Sequence, residues 1–128
     1  MNRTIVAVAA VLLTVAASGC GRKDTDSPFR RVVDRPVQLE VDNNNFLDVS
    51  VYAVAGGLSL RLGDVGGKNK GTFTLDPDRI SMVSGVQVLV DPIGSDQTYL
   101  SPTVYPYGGS TLQLSVGAFI GQSFLSVR

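Results

Sequence analysis

Leu47-Asp48-Val49-Ser50-Val51-Tyr52-Ala53-Val54-Ala55-Gly56-Gly57-Leu58-Ser59-Leu60-Arg61-Leu62 decides the fold. Apolar side chains recur at every second position, at Leu47, Val49, Val51 and Ala53 and again at Leu58, Leu60 and Leu62. Asp48, Ser50, Tyr52, Ser59 and Arg61 stand between them. A period of two places alternate side chains on one face of a strand, whereas a helix face repeats every 3.6 residues. Gly56-Gly57 between the two runs supplies the backbone freedom of a tight turn, so the stretch predicts a β-hairpin.

The same spacing extends in both directions. On the N-terminal side Val37, Leu39 and Val41 alternate with Gln38 and Glu40, and Asp42-Asn43-Asn44-Asn45 predicts a turn. On the C-terminal side a glycine- and lysine-rich loop over 63–71 leads to Thr72-Phe73-Thr74-Leu75, which ends at Asp76-Pro77-Asp78. Val86, Val88 and Val90 form the next strand, with Leu89 on its second face predicting cover on both sides. Tyr99 to Tyr105 is extended, but Pro102 lacks an N–H for the ladder, so this strand belongs at an edge. After the turn Pro106-Tyr107-Gly108-Gly109 come Leu112, Leu114 and Val116, and then a last strand over 123–127. Beyond Pro36 no window carries a capped helical period. The expectation is an all-β domain over 36–128, a small antiparallel β-sandwich of about seven or eight strands. Its architecture resembles the immunoglobulin or transthyretin type, without the cross-sheet disulfide and core tryptophan of antibody domains.

Composition narrows the function classes. The chain has 128 residues, one cysteine and no histidine. Without histidine the commonest general base and the commonest transition-metal ligand are both missing. One cysteine excludes an intrachain disulfide and a structural zinc site of cysteines. Beyond Gly19 ten basic residues face eleven acidic ones, a balance that offers no electrostatic footprint for nucleic acid.

The first residues follow an export layout: Arg3, an apolar run from Ile5 to Ala17, then small residues to Cys20. The uncharged segment from Thr4 to Gly19 has 16 residues, short of the roughly 20 that a spanning helix needs. Ala17-Ser18-Gly19-Cys20 resembles the lipobox of bacterial lipoproteins, although Ala17 stands where that family most often has leucine. The resemblance implies a signal peptide over 1–19, removed ahead of Cys20, and a diacylglyceryl group on the Cys20 sulfur. It also implies palmitate-type acylation and an extracytoplasmic place in the cell envelope, periplasmic or at the surface. An uncleaved anchor helix and ordinary secretion after Ala17 are the alternatives. Secretion would leave Cys20 a lone exposed thiol. Residues 20–35 have mixed charge and no sustained apolar period, which predicts a flexible tether with an end-to-end distance of about 22 Å.

Candidate chemistry beyond Cys20 is sparse. Gly66-Gly67-Lys68-Asn69-Lys70-Gly71 suggests a phosphate loop, but Leu62 stands where the first glycine is needed, Asn69 replaces Ser or Thr, and a strand follows. Asp76, Asp78, Asp91 and Asp96 lack the ladder of a calcium loop, and Asp-Pro-Asp is ordinary turn chemistry. Ser95 and Ser110 have no histidine to activate them. Tyr99, Tyr105 and Tyr107, with Pro102 and Pro106, make the one aromatic cluster. They suit either an interface that accepts a partner strand or the rim of the sandwich. The expected protein is therefore a non-enzymatic, membrane-anchored lipoprotein without cofactor or metal. It would bind an envelope partner through the tyrosines or Lys68, with a small-ligand or glycan receptor as the alternative.

Overall fold

The computed structural model describes residues 35–128. The expected signal peptide, the acylated Cys20 and the tether lie outside these residues. Eight strands form two four-stranded sheets, so the domain is the small all-β sandwich that the alternation predicts. They are β1 (Val37–Asn43), β2 (Val49–Ala55), β3 (Leu58–Val65), β4 (Lys70–Leu75), β5 (Gln87–Pro92), β6 (Tyr99–Leu100), β7 (Thr111–Val116) and β8 (Phe124–Val127). One sheet has the order β4-β1-β7-β8 and the other β3-β2-β5-β6. Among the described residues the only helix is a single 3-10 turn at Ile120–Gln122.

Burial follows the period of two. Val37, Leu39 and Val41 on β1, Val88 and Val90 on β5, and Leu112 and Leu114 on β7 point between the sheets and are buried, while Gln38 and Glu40 face solvent. Every strand pairing is antiparallel except β1 with β7, which is parallel with Leu39 opposite Leu112. That pair needs no hairpin, because β1 leads across to β2 in the facing sheet and β7 returns to lie beside β1 much later in the chain. Among the described residues the core draws on side chains from Val37 to Leu125.

Strand β3 departs from the simple alternation. Leu58 and Leu60 lie opposite Ala55 and Ala53, but farther along Gly63 and Val65 lie opposite Val51 and Val49. Leu62 is the extra residue of a β-bulge, which switches the inward set from even to odd positions. The bulge also makes room for an aromatic ring from the other sheet. A Cβ at Gly63 would lie 2.8 Å from Phe73 Cε1 on β4, so glycine lets that ring pack against the backbone. The expected loop over 63–71 shrinks to 66–69, since β3 runs on to Val65 and β4 begins at Lys70.

The edge strand is shorter than its extended sequence suggests. Only Tyr99 and Leu100 pair with β5, followed by a single bridge between Val104 and Val86. Pro102 interrupts the ladder between them, and Ser101 closes the gap by accepting the Val88 N–H at 2.9 Å through its hydroxyl. On the outer face, Tyr52, Leu89 and Leu100 lie in one cross-strand row, which half-buries Leu89.

Candidate functional site

Strand direction sorts the connections into two ends. β1 and β7 finish, and β2 and β4 begin, at one end, which we term the apex. There lie the loops 44–48, 66–69, 93–98 and 117–123. The opposite end carries the Gly56-Gly57 hairpin, the 76–86 connection, the 105–110 turn and the point where the chain enters at Arg35 and Pro36.

The apex exposes large apolar side chains on rigid loops. Phe46 is 80% exposed and Phe119 75% exposed, with Ile93 and Leu47 also open to solvent. The loops that carry them are cross-braced through Asn43, whose side chain is 0% exposed at the end of β1. Asn43 Nδ2 lies within hydrogen-bond distance of the carbonyls of Leu47 (2.9 Å), Val65 (3.2 Å) and Gly66 (3.0 Å), and its Oδ1 accepts the Asn45 N–H at 3.0 Å. Asn45 extends the brace, accepting the Leu47 N–H at 2.9 Å and donating to the Ala118 carbonyl at 3.1 Å. The Ile93 N–H donates to the Asp48 carbonyl at 2.8 Å, which ties in the fourth loop. A buried amide that satisfies several backbone groups holds such loops in one arrangement.

Lys68 belongs to this site. It is the one non-glycine residue with a left-handed backbone among those described, at φ 60°. That conformation turns the chain so that its N–H donates to the Asn45 carbonyl at 3.0 Å. The ammonium donates to the Asn44 carbonyl and lies 4.1 Å from the centroid of the Phe46 ring, a cation–π contact that holds the exposed ring in place. The preceding residue must be glycine for a steric reason, since a Cβ at Gly67 would stand 2.2 Å from the Phe46 carbonyl oxygen. Gly67→Ala is therefore expected to push the 44–48 loop outward and to cost about 2 kcal/mol, the size of a typical overpacking penalty, read as a lower urea midpoint.

The structure separates the residues that the sequence groups as aromatic. Tyr99 packs against the core from β6, and burial raises its pKa above the usual tyrosine range. It fits the rim reading. Tyr105 and Tyr107 are exposed, but at the end opposite the apex, where the Gly109 N–H donates to the Pro36 carbonyl at 3.2 Å. Lys68 shares no surface with them. Asp76 and Asp91 also sit at opposite ends, one after β4 and the other near the apical end of β5. Among the described residues no three His, Cys, Asp or Glu side chains converge as a metal-binding group.

Phe46, Phe119, Ile93 and the asparagine brace escape a reading based on alternation, because they lie in loops. One signal was available: Asn43-Asn44-Asn45 followed at once by Phe46, polar turn formers beside an aromatic residue that has no strand to join. A concavity lies on the outer face of the β4-β1-β7-β8 sheet, a shallow cleft of about 300 Å³ lined by Glu40, Asp42, Gln113, Ser126 and the exposed Phe124. Gln113 donates to Glu40 there at 3.1 Å.

No family model matches the chain, and no curated protein matches it. Among solved structures it is similar to a Gram-negative toxin, at 9% identity and a TM-score of 0.41 over 73% of this chain and 23% of that one. It is also similar to the membrane-binding domain of pneumolysin, at 8% identity and a TM-score of 0.36 over 73% of this chain and 96% of that one. The chain thus spans about a quarter of the length of the first, and both likenesses are too loose to assign a family.

Proposed function

We propose that the protein is an envelope lipoprotein, acylated at Cys20, whose sandwich is a non-enzymatic binding module that engages a protein partner through its apex. The observation that carries the reading is the pairing of Phe46 and Phe119, both largely exposed, with a buried asparagine brace beneath them. Exposed phenyl rings lose nothing by mobility, so a braced presentation is what a docking surface requires: binding then orders few additional groups. Lys68 beside Phe46 adds a donor for a carboxylate or carbonyl at the rim of such an interface.

The test is photocrosslinking from position 119 in intact cells of the native host. A defined adduct is expected, and it should disappear in Phe46→Ser. Because Phe46 is exposed, that variant should retain its thermal midpoint apart from the loss of about 0.5–1 kcal/mol from the cation–π contact. Only non-specific background from position 119 would refute the apex as the partner surface. Cys20→Ala should abolish palmitate labelling and release the protein from the membrane fraction, and unchanged fractionation would refute the anchoring. The glycan-receptor alternative rests on the cleft beside Phe124, where an aromatic face meets carboxylates, an amide and hydroxyls. A crosslink from Phe124 to saccharide, with none from the apex, would favour it.

A further inference from the structure

The end opposite the apex has its own exposed apolar set, and the chain enters the domain in its midst. Leu58 follows the β2–β3 hairpin, Val83 sits in the turn before β5, and Tyr105 and Tyr107 lie in the connection to β7; all four are largely open to solvent. Register and packing place them together. Val54 pairs with Gln87, which sets the Leu58 hairpin beside the start of β5. A Cβ at Gly85 would lie 3.0 Å from the Tyr105 ring, so the Val83 turn abuts that side chain. The Gly109 N–H holds the Tyr107 turn to Pro36. Arg35, Arg79 and Arg128 are exposed at the same end, against Asp76 and Asp78.

We infer that this end rests in the interfacial zone of a phospholipid bilayer, with Tyr105 and Tyr107 at headgroup level and Leu58 and Val83 just below them. The inference rests on the Cys20 anchorage proposed above. Tyrosine has an apolar ring and a polar tip, the combination enriched where hydrocarbon meets water. The arginines fit phosphate oxygens, but the acidic neighbours leave charge close to balance, so contact depends little on lipid charge.

The entry point of the chain selects this end. Cys20 lies sixteen residues before Pro36, a span that reaches at most about 50 Å. Any anchor on that sulfur keeps this end near the lipid at an effective concentration of about millimolar. A face with millimolar affinity of its own is then occupied much of the time. Laying the apex on the lipid instead would require the segment to run back along the domain, whose seven-residue β1 alone measures about 23 Å. Contact at the tyrosine end therefore directs Phe46 and Phe119 away from the membrane.

The test uses residues 20–128, the mature form under that anchorage, coupled through Cys20, the only cysteine, to a maleimide lipid in phosphatidylcholine nanodiscs. A gadolinium-chelating headgroup lipid reports proximity by broadening amide resonances. Amides at 83–85 and 105–109 are expected to broaden several-fold more than those at 46 and 119, with little change on added salt. Tyr105→Ser with Tyr107→Ser should bring the two ends level. Equal broadening in the unsubstituted protein, or stronger broadening at the apex, would overturn the inference, as would concentration-dependent broadening at 105–109 without lipid, the sign of a second copy on this face. The comparison of the two ends holds even where the double variant fails to fold. Because the lipid is attached chemically, a bare Cys20 sulfur in the native host would refute the anchoring while leaving this measurement intact.

Discussion

Val51→Asp leaves the domain without a cooperative unfolding transition at neutral pH. Val51 is 0% exposed and sits halfway along β2, paired with Val90 on one side and Gly63 on the other, with its side chain pointing at the facing sheet. Removing the valine forfeits about 1.5–3 kcal/mol of apolar burial. The carboxylate adds several kcal/mol more, because among the described residues no cationic side chain is buried between the sheets to pair with it. A domain of this size has about 5–10 kcal/mol in total, and no disulfide limits the unfolded chain. Circular dichroism should show a flat thermal trace. Leu60→Asp provides the contrast. Leu60 is half-buried on edge strand β3, before the bulge, so the aspartate carboxylate reaches water there and the transition should persist at a lower midpoint.

The difference between those two substitutions marks what the residues alone reveal. Alternation identifies Val51 and Leu60 as inward residues equally well, and both do face the core side of their strands. It contains no information on whether a strand is central or at an edge, because that depends on pairings across distant parts of the chain. The hairpin at Gly56-Gly57 is legible since its two strands are neighbours in sequence; the parallel pairing of β1 with β7 is not. The bulge at Leu62 is hidden for a related reason. Leu58, Leu60 and Leu62 continue an unbroken period of two, and only the Phe73 ring from the other sheet explains why Gly63 takes over as the inward position.

Site residues divide in the same way. Tyr99, Tyr105 and Tyr107 cluster in sequence, yet the run from 99 to 107 travels from near the apex to the far end, so proximity along the chain becomes distance in space. Conversely, Phe46, Lys68, Ile93 and Phe119 are far apart in sequence and share one end of the sandwich. Lys68, singled out in the glycine loop, does belong to the candidate surface, through its position over Phe46 and without phosphate chemistry. The two ends then have distinct characters. Phenyl rings and a lysine occupy the free end, and tyrosines and arginines occupy the end where the chain enters.

Asn43→Leu is expected to separate folding from presentation at the apex. Asn43 is the one asparagine of its triplet buried outright, and it satisfies carbonyls from three residues together with the Asn45 N–H. Leucine matches its bulk but offers no polar atom, and each backbone group left unpartnered costs about 1–3 kcal/mol. Water entering between the loops relieves part of that penalty, so the loss should be about 3 kcal/mol, seen as a lower urea midpoint with an unchanged slope. Hydrogen exchange at Asn45 and Leu47 should accelerate far more than at Leu39 or Val88, because the loops open while the sheets remain closed. Asn44→Ala is the matched control, since Asn44 contributes only backbone atoms, its N–H to the Val116 carbonyl at 2.9 Å and its own carbonyl to Lys68. Crosslinking from position 119 should survive Asn44→Ala, although Asn44 is exposed, and weaken in Asn43→Leu, although the Asn43 side chain is buried beyond a partner's reach. Equal crosslinking in both would mean that rigidity at the apex is structural alone, and that Phe46 and Phe119 bind without being held.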